Sequence, residues 1–151
     1  MPRLLSPADI LLSVFTVAAL AMPPNSSSAM GSADPALVAR GYTFLTRTKA
    51  EKVGLGISPE YIDLYSRVLE SRKRFELLSV NIGTDITTPP FWLHEFAADC
   101  EAPAARMVSV SVFDARWKLA SPSKETVGAI WQLPQVGSAQ RFGLDATCKH
   151  P

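Results

Sequence analysis

RMVSVSVF, residues 106–113, is the stretch on which the fold turns. Val108, Val110 and Val112 alternate with Ser109 and Ser111, the period-two pattern of a strand with one face buried. Immediately upstream, residues 91–100 (FWLHEFAADC) place Trp92, His94, Phe96, Ala98 and Cys100 on one parity. Between the two lies Glu101-Ala102-Pro103-Ala104, a turn sequence, so the pair reads as a hairpin. Working outward, residues 74–82 (RFELLSVNI) alternate from Glu76 to Ile82, apart from Leu77, and stop at Gly83. Thr87-Thr88-Pro89-Pro90 breaks the pattern, because proline removes a ladder donor.

Residues 59–72 support two readings. Ser58-Pro59-Glu60 has the hydroxyl cap, first-turn proline and early acid of a helix start, and Ile62, Tyr65 and Leu69 follow at helical spacing. Tyr61-Ile62-Asp63-Leu64-Tyr65 is equally acceptable as a strand. Residues 37–47 read as an entry strand or irregular arm, and residues 49–58 as a glycine-containing loop. Downstream, residues 114–125 hold Trp117 and the turn signal Ser121-Pro122-Ser123. Residues 127–133 read as a final short apolar strand carrying Trp131. Ser138 then caps a last helix running to Cys148, with Phe142, Asp145 and Ala146 at helical spacing. The expected fold is α+β: an antiparallel β-sheet with one or two helices packed on it.

The N-terminus points to export. A polar start containing Arg3 leads into an apolar run over residues 10–21 that ends in Ala19-Leu20-Ala21, the small-x-small pattern of a signal cleavage site. A membrane span needs about 20 apolar residues, and this run is shorter. Residues 1–21 are therefore expected to be a signal peptide, with Gly31-Ser32-Ala33 as a later alternative cut and an uncleaved anchor as the competing reading. Residues 22–36 form a Pro/Ser-rich spacer containing the sequon Asn25-Ser26-Ser27, and residues 37–151 a single domain with no membrane span after cleavage. The expected location is periplasmic or secreted. Two cysteines in an exported chain are expected to pair, so Cys100 and Cys148 should form a disulfide that ties the last helix to the sheet.

A formal net charge of +1 argues against nucleic acid as a partner. The charge is uneven, however: Arg40, Arg47, Lys49, Lys52, Arg67, Arg72, Lys73 and Arg74 lie early, whereas Glu76, Asp85, Glu95, Asp99, Glu101 and Asp114 follow. A solvated basic face explains this simply, and a face for an acidic protein or a glycan explains it more sharply. No metal-ligand spacing appears, since His94 and Glu95 would point to opposite faces of a strand. No Gly-x-Ser-x-Gly elbow is present, and Gly54-Leu55-Gly56 lacks the third glycine of a dinucleotide loop. No catalytic set, metal or cofactor is therefore expected.

One constellation resembles a known family. Tyr61-Ile62-Asp63-Leu64-Tyr65-Ser66 is followed by a strand, then by a strand ending in Phe96-Ala97-Ala98-Asp99-Cys100, then by Trp131-x-x-Pro134-x-x-x-Ser138 and a terminal Cys148. Over residues 61–148 this is similar to the surface-adhesin protein E-like family of small exported Gram-negative proteins. The resemblance implies a sheet with a helix packed across it, and a strand rather than a helix at residues 61–65. The best-known member is a lipid-anchored adhesin that binds matrix proteins, but the lipidation cysteine has no counterpart here. The resulting expectation is an exported, non-enzymatic, adhesin-like binding domain. Arg72, Lys73 and Arg74 with Phe91 and Trp92 are its candidate binding residues, and a protein or glycan is its partner. An accessory or structural subunit of a periplasmic envelope complex is the alternative, and a hydrolase built on His94 a third reading.

Overall fold

The computed structural model describes residues 32–50, 59–70, 73–83, 89–126 and 129–149. The expected signal peptide, most of the spacer with its sequon, the Gly54–Gly56 loop and Arg72 lie outside them. Six strands form one antiparallel sheet in which each strand pairs with its sequence neighbour: β1 (Thr43–Lys49), β2 (Tyr61–Leu69), β3 (Arg74–Ile82), β4 (Phe91–Asp99), β5 (Ala104–Phe113) and β6 (Leu119–Glu125). A short helix α1 (Pro35–Ala39) precedes the sheet, and α2 (Ala139–Cys148) follows it.

The two helices cover opposite faces. Under α2 lie Leu64, Phe75, Leu77, Phe96, Ala98 and Ala105, packed with Ala139 and Leu144 of the helix. On the other face Leu37 of α1 and Tyr42 pack with Tyr65 and Leu78, and Phe44, Val80, Phe91, Leu93 and Trp117 border them. The registers explain this partition, since Ser66 is opposite Leu77 and Leu77 opposite His94, whereas Tyr65 is opposite Leu78 and Leu78 opposite Leu93. The parity expected for Trp92, His94, Phe96 and Ala98 is the observed one.

Residues 61–69 are strand. The helix-start signals at Ser58-Pro59-Glu60 are outweighed because Asp63, Leu64, Tyr65 and Ser66 are buried in succession, two toward each helix. A surface helix buries one stripe, not four consecutive residues. The entry arm divides into helix and strand. Asp34 caps α1 by accepting from the Ala36 N–H at 2.9 Å, and its own N–H donates to the Tyr65 hydroxyl at 3.0 Å. The folded unit thus reaches back to Asp34.

Two expectations downstream are corrected. Ser121-Pro122-Ser123 is not the turn but part of β6, where the β5 register shifts between Val110 and Val112. Proline is tolerated at such a bulge on an edge strand, where no ladder donor is needed. The turn is instead at Asp114, whose carboxylate accepts from the N–H groups of Arg116 and Lys118 at 2.8 and 3.0 Å. The described part of 127–133 is not a strand either. It makes one isolated bridge, between Gln132 and Ala105.

The C-terminal helix matches its reading. The Ser138 hydroxyl accepts from the Arg141 N–H at 3.1 Å, and Arg141 donates to Asp145 one turn on at 3.0 Å. The buried stripe is Ala139, Gly143, Leu144 and Thr147, while Phe142 stays 45 % exposed. Gly143 permits close approach to the sheet, because a β-carbon there would lie 2.5 Å from Phe75 Cε2. Cys148 is bonded to Cys100, just past β4, with a Cα–Cα distance of 5.4 Å, so the disulfide anchors the helix end to the sheet.

Candidate functional site

Of the five residues expected to bind, Arg72 lies outside the described residues, and the other four are not brought together. Lys73 is an exposed turn residue with φ +48° and Arg74 starts β3, opposite Ala97. Phe91 is at the other end of β4, opposite Val80. The six residue steps from Phe91 to Ala97 correspond to about 20 Å of strand. Phe91 and Trp92 also face opposite sides of the sheet, as successive strand residues must. Phe91 is stacked on Trp117 at 4.1 Å, and the Arg40 guanidinium covers Trp117 at 4.5 Å. Trp117 reaches this position with φ +61°, a left-handed conformation rare for a bulky residue. Trp92 is half-buried on the α2 side, with its indole N–H lacking a partner among the described residues.

Three of the early basic residues are engaged by acids that follow them. Arg47 grips Asp63 with two bonds of 2.6 and 2.8 Å, and this hydrogen bonding holds its guanidinium pKa above the usual value. Arg67 donates to Glu76 at 2.8 Å and to the Arg40 carbonyl at 3.0 Å, while lying 4.5 Å over the Tyr42 ring. The Tyr42 hydroxyl donates to the same Glu76 oxygen at 2.9 Å. Burial first, and the Glu76 charge second, push the Tyr42 phenol well above its ordinary range. Arg74 pairs with Glu95 at 2.7 Å. These three ion pairs lie on the α1 face, so part of the early basic excess is neutralised across strands. Sequence periodicity gave no sign of this, because such pairing depends on register.

His94 is 3 % exposed on the α2 face, between Leu77 and Val110 on the adjoining strands. Burial lowers its pKa to about 4, with the Leu77 backbone partly opposing the shift, so the ring is neutral at pH 7. Among the described residues no cluster of three or more His, Cys, Asp or Glu is arranged to hold a metal.

Among the described residues the densest run of exposed apolar side chains lies elsewhere, along the connection between β6 and α2. Ile130 is 69 % exposed, Trp131 46 %, Leu133 62 % and Val136 81 %. Gln132 fastens this segment to the sheet edge, donating to the Ala105 carbonyl at 3.0 Å and accepting from its N–H at 2.8 Å. The Arg106 guanidinium lies 5.2 Å from the centre of the Trp131 ring. The sequence pattern predicts a short apolar strand over residues 127–133, and the exposure of Ile130, Trp131 and Leu133 departs from it. The overlooked signal is charge, since no Asp, Glu, Lys or Arg occurs from Thr126 to Gln140.

No family model matches the chain, and no curated protein and no solved structure is significantly similar to it. Among the described residues no helix is long and apolar enough to cross a membrane.

Proposed function

We propose that this is an exported, non-enzymatic binding domain of adhesin-like type that contacts a protein partner through the edge segment around Trp131. The observation that carries this reading is the run Ile130, Trp131, Leu133 and Val136, four large apolar side chains exposed together on a disulfide-braced sheet. Apolar patches on monomers rarely exceed roughly 300–600 Å², and those that approach this size commonly mark interaction sites. The tryptophan adds an amphipathic anchor of the kind enriched at interface centres. Arg74 is a weaker candidate than the sequence suggested, because Glu95 already holds it.

A photo-crosslinking residue introduced at position 131, and separately at exposed position 116, tests the assignment in intact envelope preparations and on matrix-protein surfaces. A discrete adduct from position 131 alone supports it, and adducts confined to the membrane fraction favour an envelope-complex subunit. Absence of any adduct at 131, or equal labelling at 116, refutes it.

A further inference from the structure

We propose that the segment around Trp131 pairs with the same segment of a second copy of this chain, as antiparallel strands related by a two-fold axis at Gln132. This rests on the reading of that segment as an interface and names its occupant. Gln132 exchanges both backbone hydrogen bonds with Ala105, so its N–H and C=O point into the sheet. In extended chain the flanking residues turn theirs the opposite way. Trp131 and Leu133 therefore direct their backbone N–H and C=O groups outward, and among the described residues nothing bonds to them. Pro134 falls again on an inward position, so its missing N–H removes no outward donor. Its carbonyl is met instead by Arg141 at 3.5 Å.

The segment is self-complementary about Gln132. A two-fold axis there sets Trp131 opposite Leu133 of the second copy and Leu133 opposite its Trp131. Each pair exchanges two backbone bonds and places an apolar cross-strand contact on one face. Identical charged edges would repel, but residues 126–140 carry no charge. Protein edges are ordinarily blunted by charges, bulges or proline. β6 has Pro122 and Lys124 for this purpose, whereas residues 130–133 have none of these. A pairing limited to this short segment is a small interface, which suits a weak, concentration-dependent dimer.

Sedimentation equilibrium over a concentration series, with wild type, Leu133→Pro and Gln132→Cys, tests the proposal. Wild type should convert from monomer to dimer as concentration rises. Leu133→Pro, which removes one outward N–H per copy, should weaken association by at least about tenfold. Gln132→Cys should give covalent dimers with a thiol oxidant, because opposed residues without mutual hydrogen bonds stand ~4.5 Å apart, whereas Gln135→Cys should not. Near-ultraviolet dichroism checks that each variant is folded. A wild type that stays monomeric throughout, or a Gln132→Cys variant that does not cross-link, overturns the proposal. If position 131 then still captures a foreign protein, only the second copy is refuted; if it captures nothing, the binding reading falls too.

Discussion

Replacing Gly143 by alanine sets two opposed effects against each other, and the structure says which prevails. In an isolated helix the change is stabilising by about 1 kcal/mol. Here the new methyl would fall 2.9 Å from Phe75 Cγ, 2.5 Å from Cε2 and closer still to Cδ2. Phe75 is fully buried and stacked on Phe96 at 5.1 Å, with the ring planes 6° apart, so it has no free side toward which to retreat. Nor can the helix lift easily, since the Cys100–Cys148 bond fixes its end. Overpacking of this kind costs about 1–3 kcal/mol. Gly143→Ala should therefore lower stability by up to about 2 kcal/mol net, read from urea midpoints at unchanged slope. On a Phe75→Leu background the penalty should shrink, because the ring that meets the methyl has gone. A Gly143→Ala protein stabilised by about 1 kcal/mol would refute the close helix–sheet contact and leave only helix propensity at work.

The buried histidine predicts a distinct pH dependence. Unfolded, His94 takes up its proton near pH 6.5, but folded only near pH 4. Between these values the unfolded state binds more protons, so stability falls as pH drops, by about 3 kcal/mol across the window. His94→Leu should flatten the urea-midpoint profile between pH 6.5 and 4.5, and an unchanged slope would assign the acid sensitivity to other groups. Loss of the disulfide, by reduction or by the paired Cys100→Ser and Cys148→Ser changes, should cost about 4 kcal/mol from the 48-residue loop it closes. A thiol assay on native protein should find no reactive cysteine, and two would contradict the bond. Tyr42→Phe leaves the buried Glu76 with one donor fewer and should destabilise by about 2 kcal/mol, given the usual strength of hydrogen bonds to charged groups. Thermal unfolding of Tyr42→Phe in an Arg67→Met background tests this further, because the two effects should not be additive.

The parts of the fold legible in sequence are those with one buried face. The hairpin of β4 and β5, the strand β3 and the Ser138 cap each carry a periodicity or a cap that points one way. Strand β2 was ambiguous for a physical reason, since both its faces are covered and Asp63, Leu64, Tyr65 and Ser66 show no alternation to detect. Helix α1 is five residues long, too short for a helical period. β6 is exposed along its whole length and held by its neighbour's backbone, so its side chains record little of the pairing. The candidate site was less legible still. Phe91 and Trp92 are adjacent in sequence, yet α1 and the Trp117 turn border one while the other faces the α2 side. The apolar residues near Trp131 suggested burial, and only the lack of charge around them indicated otherwise.

The strand order has a consequence for how the chain assembles. Every ladder joins neighbours in sequence, so a polypeptide delivered from its N-terminus can close one hairpin after another without waiting for distant partners. Among the described helices α2 is the one that must travel back, across strands β5 to β2, and Cys148 completes Cys100. Cys100 is therefore synthesised 48 residues before its partner, which follows every strand of the sheet. The bridge is thereby a closing step: it fastens a finished sheet rather than directing its construction.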